Sequence, residues 1–378
     1  MSTTKFSENN LDCLRLILAS IVALFHIFAL TSLSSFSAFG TYLSPHFAVR
    51  GFFVISGMLI YRSYTRSSSV SSYFEKRLRR IYPAYVTVVT LTAITLGALS
   101  TLRLSRYFVV GFWKYLVANL LFLNFAAPSL PGVFGTHVNT AVNGALWTLK
   151  IEVIFYLSVP LIYYLCRRFG TKAIMAAVFC LSCVWKYGFA LLDALERARS
   201  LAPLDDTRTI FARMEVQFPA QLAYFSAGIL LLIYFDTLKK HFLLISCITG
   251  ALFLVDHFFT HDSLDLFWIS GVVFVFGFWR YFGNFSKFGD FSYGVYIVHW
   301  PILQVLIALG VAALSPALFL ATSIMLIFIA AFTLWHLIEK RFLATSSHYR
   351  HSQVETAEPN KSLHSEPPVL RSLSTSER

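Results

Sequence analysis

The apolar residues of this chain come in blocks of about 20, which is the length a helix needs to cross the ~30 Å hydrocarbon core of a bilayer. That feature excludes most folds. Lipid offers no water to the backbone, so only helices or a closed barrel can span it. Unbroken apolar runs lack the alternation of a barrel strand. Composition agrees: the chain is 57% hydrophobic and 13% charged, where a soluble domain is about a quarter charged. The expected fold is an all-α polytopic membrane protein.

Candidate spans fall at 11–30, 47–64, 83–101, 147–166, 172–192, 217–234, 242–259, 266–282, 291–310 and 316–338, about ten transmembrane helices. The basic clusters lie between them: Arg62, Arg66, Lys76, Arg77, Arg79 and Arg80, then Arg167–Arg168, Lys239–Lys240, Arg280 with Lys287, and Lys340–Arg341. Placing all of these in the cytoplasm satisfies the positive-inside rule and predicts both termini there. Residues 106–125 are apolar enough to consider as a further crossing, but a crossing there would turn every later cluster outward. They are therefore expected as a re-entrant or interfacial piece on the outer side, held by Trp113, Lys114 and Tyr115. The loop at 126–143 holds Pro128, Pro131, Gly132 and Gly135 and should be irregular. Residues 193–215 read as an outer loop of mixed charge, with Asp205 and Asp206 among arginines, and carry no catalytic pattern. The membrane domain spans residues 10–342. The remainder, 343–378, is rich in Ser, Glu, Pro and His and is expected to be a disordered cytoplasmic tail.

The net charge of +12 would suggest nucleic acid in a soluble protein. Here it follows topology, and no nucleic-acid partner is expected. The five cysteines lie in or at the ends of apolar segments and read as packing residues. Cys180 and Cys183 have C-x-x-C spacing but lie inside an apolar span without partner ligands, so no metal is expected. The first block carries Arg15 and His26 and has no clear small-residue cleavage site, unlike a cleavable signal.

Ionisable groups at membrane depth usually face a bundle interior and mark function. Arg15 and His26 are eleven positions apart. At about 100° per residue this is three turns and a further ~20°, so both share one helical face, ~16 Å apart along the axis. Gly51-Phe-Phe-Val-Ile-Ser56-Gly57 in the second span permits close backbone approach. Arg77 and Arg80 are neighbours on one face, followed by Tyr82-Pro83, whose proline suits a first helical turn. Their forked donors suit a phosphate or pyrophosphate and equally a lipid headgroup. Glu152, in Trp147-Thr-Leu-Lys-Ile-Glu152, lies about one and a half turns inside the outer end of its span, a depth it could share with His26. A carboxylate there can orient an imidazole, or it can pair with Lys150 or an outer-loop arginine. His299 lies in Ser292-Tyr293-Gly-Val-Tyr296-Ile-Val-His299-Trp300-Pro301, where the proline frees a backbone carbonyl. It reads either as a satisfied structural histidine or as part of a site.

The ordered set resembles the membrane acyltransferase 3 family: Arg15-x10-His26, the Gly-Phe-Phe-x-Ile-Ser-Gly segment, Arg77-x-x-Arg80 with Tyr82-Pro83, Trp147-Thr-Leu-x-x-Glu152, and Ser292-Tyr-x-x-Tyr-x-x-His299-x-Pro301. Thr148 stands where serine is usual, Val153 where a second acid is common, and Lys150 is an unusual neighbour. The resemblance covers about residues 10–342 and corresponds to the stand-alone form without an appended esterase-like domain.

It implies a multi-pass enzyme of a bacterial inner membrane. Such an enzyme transfers an acyl group, commonly acetyl, from cytoplasmic acyl-coenzyme A to a hydroxyl of an envelope carbohydrate or glycolipid. His26, Arg15 and Glu152 are then the candidate catalytic residues. Arg77 and Arg80 are the candidates for donor binding. His299, Tyr293 and Ser56 are substrate-contacting or structural. His26 would act as a general base or carry the acyl group covalently. The alternative function is a transporter or flippase for a glycolipid or small solute, since intramembrane Arg, His and Glu can also line a translocation path. The paired halves common in transporters are not seen in this sequence.

Overall fold

Serines, prolines and a glycine set many of the helix boundaries. The computed structural model describes residues 6, 8–199, 209–260, 262–283, 285–287 and 289–343. Helix α1 (Leu11–Thr31) ends at Ser32, whose left-handed backbone turns the chain away. Helix α2 (Pro45–Thr65) starts on a proline, and the Ser44 hydroxyl caps it by accepting from the Phe47 N–H at 3.1 Å. Ser69 caps α3 (Val70–Thr95) in the same way. Helix α4 (Val110–Leu120) is short. Gly170, at φ 95°, separates α5 (Trp147–Phe169) from α6 (Thr171–Arg199), a conformation that favours glycine. Then come α7 (Phe218–Ile233), α8 (Phe242–Val255), α9 (Asp265–Phe278), α10 (Ser292–Ala308) and α11 (Pro316–Leu334), with Ser315 capping the last. Among the described residues there is no strand.

Among the described residues, seven helices are long and apolar enough to cross a membrane: α1, α3, α5, α6, α7, α8 and α11, several extended by short helical segments at their ends. The other three expected spans fall short for identifiable reasons. Helix α2 passes only together with the segment before it, across a 41° bend, and it carries Arg50 and Arg62. Helices α9 and α10 are apolar but shorter. Much of α9 and nearly all of α10 from Ser292 to Gln304 is buried in protein. A helix sheathed by others need not match the lipid thickness itself. The peripheral helices show the opposite pattern. Only Met175, Ser182 and Lys186 are buried in α6 and only Thr249 in α8, leaving apolar side chains that a bilayer would cover.

Two sequence expectations change in detail. The third span was expected to begin at Pro83, yet α3 begins thirteen residues earlier, so Arg77 and Arg80 sit inside a helix rather than in a loop. The reason is the Ser69 cap and the burial of Tyr73 and Ile81 along the early turns. Residues 106–125 contain α4, whose eleven residues span only about 16 Å. Helix α4 packs on α3: Tyr85 donates to the Asn119 carbonyl at 2.6 Å and stacks on Phe122. Tyr115 is buried while Trp113 is exposed. Residues 126–143 are irregular, as expected. Leu343, placed by sequence in the tail, is buried in the core; residues 344–378, with Asp205 and Asp206, lie outside the described residues.

Helices α2 and α7 cross with their backbones in close approach. A Cβ added to Gly57 would meet the Phe225 carbonyl oxygen at 2.0 Å, and one added to Gly228 would meet that of Val54 at 2.0 Å. The glycine-serine motif thus serves the close backbone approach that its composition suggested.

Candidate active site

Helix α1 presents Arg15 and His26 to the same interior, each against α10 or the loop before it. The His26 Nδ1 lies 2.9 Å from His299 Nε2. The two rings are parallel, with a 4° interplanar angle and centroids 5.1 Å apart, and Trp300 meets His26 edge-on at 4.7 Å. His299 is completely buried. Glu152 does not reach this pair. It accepts a hydrogen bond from the Tyr156 hydroxyl at 2.6 Å, while Lys150 lies over the Phe125 ring. The side chain within hydrogen-bond distance of His26 is therefore a second imidazole, and Glu152 is engaged by Tyr156.

Pro301 explains how α10 is anchored beside the pair. It has no N–H to give the Ile297 carbonyl four residues back, and Asn143 Nδ2 donates to that carbonyl instead, at 2.8 Å. Trp300 Nε1 donates to the Ala141 carbonyl at 3.1 Å. Gln304 Nε2 donates to the carbonyls of Asn139 and Ala141. The irregular loop is thereby laced along α10.

At the other end of α1, Arg15 Nη1 donates to Asp290 at 2.5 Å. Arg80 bridges Asp290 and Glu339, the latter at 2.8 Å. The Ser292 hydroxyl also donates to Asp290. Burial alone would raise the Asp290 carboxyl, but the Arg15 and Arg80 guanidinium groups, with Ser292, hold it well below the usual carboxylate range. Two cations and two carboxylates compensate one another here. Arg77 is different. It donates to the Ser63 hydroxyl at 2.8 Å and faces the Tyr156 ring. Among the described residues it has no carboxylate partner, and its buried Nε has no hydrogen-bond acceptor.

A cavity of about 600 Å³ joins these elements. Arg15, Ser56, Arg77, Arg80, Glu152 and Tyr293 all line it. At one end it reaches Arg62, Lys76 and the exposed Arg66; at the other it stops against Phe52, Thr148 and Tyr296. His26 and His299 lie beyond that wall. The Tyr296 ring forms it, 5.8 Å from Phe52 and 5.9 Å from the His299 ring. Its hydroxyl is held by Thr148 at 2.8 Å. Tyr293 packs under Arg80 and donates to the Ile81 carbonyl.

Asp290, Glu339 and Tyr156 were not singled out from sequence. Nor was a second buried ion cluster: Asp265 pairs with Arg50, with Lys186 at 3.2 Å and with the Tyr224 hydroxyl at 2.7 Å. The available signal was the same for all of the ionisable ones, a charged residue in or beside an apolar block. No group of three or more His, Cys, Asp or Glu among the described residues is arranged to hold a metal ion.

Comparison with known proteins points to the same chemistry. A family model described as an acyltransferase domain, that of the acyltransferase 3 family, matches residues 8–336. The chain is 26% identical over 336 residues to Nodulation protein 10 of Rhizobium leguminosarum bv. viciae, covering 80% of this chain and 85% of that protein. It is 25% identical over 349 residues to an O-acetyl transferase of Shigella phage Sf6, covering 90% and 97%. Acyltransferase MdmB of Streptomyces mycarofaciens is 29% identical over 140 residues, 35% of this chain and 34% of that one. No solved structure matches the chain.

Proposed function

The chain belongs to the membrane acyltransferase 3 family, and from that premise we propose that it moves an acyl group, acetyl in the simplest case, from cytoplasmic acyl-coenzyme A to a hydroxyl of a cell-envelope carbohydrate or glycolipid. That it transfers acyl groups follows from the family. The donor, the acceptor class and the residue roles are our reading. The observation that carries it is a cavity that gathers Arg77, Glu152 and Ser56 between a basic end and a wall one ring from the paired imidazoles.

In this reading the apolar helices other than α4 cross a bacterial inner membrane ten times, with both termini in the cytoplasm. Helix α4 lies in the outer interface. The donor phosphates sit at the basic end, with Arg77 as their main contact because its hydrogen-bonding capacity is unmet. Arg80 and Arg15, engaged by Asp290 and Glu339, fix the wall of the cavity around the donor. The pantetheine arm extends along the cavity, where Glu152 can accept from its amide N–H groups. The thioester passes Tyr296 to reach His26. His26 takes the proton from the acceptor hydroxyl as its oxygen attacks the thioester carbonyl. The new C–O bond forms, the C–S bond breaks, and the proton passes to the departing thiolate.

Purified protein in liposomes, supplied with acetyl-labelled acetyl-coenzyme A and an envelope glycolipid, tests this. Label should appear on the glycan with the native chain and not with His26→Ala. Transfer that survives His26→Ala removes the base from the scheme. Glycolipid crossing without label would support the transporter instead.

A further inference from the structure

We infer that His299 is a positioning residue that fixes the tautomer of His26, so that His26 Nε2 is the basic atom. The inference rests on the proposed role of His26. It follows from which atoms can donate. The Val295 carbonyl can only accept, so His299 Nδ1, 3.1 Å away, must carry its hydrogen. A neutral His299 then has its lone pair on Nε2. That atom faces His26 Nδ1 at 2.9 Å, so His26 Nδ1 must be the donor. The remaining lone pair of His26 is on Nε2, on the far side of its ring. The chain from Val295 through His299 to His26 runs in one direction, and a helix carbonyl sets it.

The arrangement also answers a problem of burial. In a hydrolase triad the orienting group is a carboxylate. An ionised carboxylate buried among Tyr296, Trp300 and apolar neighbours would be costly without a cation partner. A neutral imidazole supplies the same acceptor without that cost. When His26 gains a proton on Nε2, its Nδ1–H remains directed at His299, and the hydrogen bond strengthens with the charge. Both rings stand on helices, α1 and α10, packed side by side, which suits a site that needs fixed geometry.

Two substitutions separate positioning from packing. His299→Gln offers an amide oxygen near the position of Nε2, while His299→Leu offers none. His299→Leu should lower kcat by about a hundredfold or more, within the span typical of general-base effects. The donor KM should stay within about twofold, because the cavity is not touched. His299→Gln should recover turnover to within about tenfold of the native enzyme. Full kcat in a folded His299→Leu protein would overturn the inference, and so would a Gln variant as slow as Leu. Should the Leu variant not fold, nitrogen-15 NMR of histidine-labelled native protein decides. Hydrogen on His26 Nδ1 is expected, and hydrogen on Nε2 instead would overturn it. That readout does not depend on turnover. If His26→Ala still transfers acyl groups, the proposed function fails while the tautomer result stands.

Discussion

The two buried ion clusters are built alike and differ in their surroundings. In one, Asp290 accepts from Arg15 and Arg80; in the other, Asp265 is met by Arg50 and Lys186. Each places one carboxylate between two cations on different helices or loops, which ties those segments together. The Asp290 cluster borders the large cavity through Arg15 and Arg80, and Arg77 stands beside it with an unmet donor. None of the Asp265 cluster lines that cavity. Buried charge alone therefore does not identify a site. What distinguishes the first cluster is space next to it and a cation whose hydrogen bonding the protein leaves incomplete.

The largest expected effect concerns folding. Asp265→Ala or Asp290→Ala leaves two cations without their shared carboxylate, and breaking a buried pair costs about 3–5 kcal/mol. Denaturant unfolding in detergent should show comparable losses for both. Replacing each cluster whole is more decisive. Arg50→Met with Lys186→Met and Asp265→Leu should fold with near-native stability, since apolar replacement of a buried ion group is often neutral or better, and acyl transfer should survive. Arg15→Met with Arg80→Met, Asp290→Leu and Glu339→Leu should also fold but transfer nothing. A folded protein that loses transfer when the Asp265 cluster is replaced would make that cluster part of the site and end the contrast.

Arg77 sharpens the comparison at the next level. A hydrogen bond to a charged group contributes about 1.5–3 kcal/mol, so Arg77→Ala should raise the donor KM roughly ten- to a hundredfold with little change in kcat. Arg50→Ala should leave the donor KM alone and lower stability only. Steady-state kinetics on both variants, with acetyl-coenzyme A varied, checks the pair. An unchanged KM in Arg77→Ala would remove it as the donor contact.

Much of this was legible in the chain. Apolar block length located the helices, and eleven residues at helical spacing put Arg15 and His26 on one face. The motifs that resemble the family brought Arg15, Ser56, Arg77, Arg80, Glu152 and Tyr293 to one cavity. The partner of His26 was harder to read. Counting turns gives depth along a helix but not which neighbour faces inward at that depth, so it offered Glu152 and did not pair His299 with His26. Packing of α10 against α1 decides it. Glu339 was hidden beside Lys340 and Arg341, where it reads as part of a surface charge cluster. Asp290 was hidden in a loop, where an acid is ordinary. Their burial comes from the fold around α10 and α11, and no local pattern encodes that.

The smallest expected effect compares the two aromatic contacts of Tyr296. Its ring meets Phe52, which lines the cavity, and also His299. Its hydroxyl ties the ring to Thr148 at 2.8 Å and to the Ala145 carbonyl at 3.3 Å. Tyr296→Phe keeps the ring and releases the tether, at a cost of about 1 kcal/mol in stability. The donor KM should not change, because the basic end is untouched. If the ring must swing aside for the thioester, a looser ring opens more easily, and kcat should rise by up to about fivefold, the equivalent of ~1 kcal/mol. A fall of a hundredfold would mean that the hydroxyl itself takes part in the reaction. The wall between cavity and imidazoles would then belong to the catalytic machinery rather than gate it.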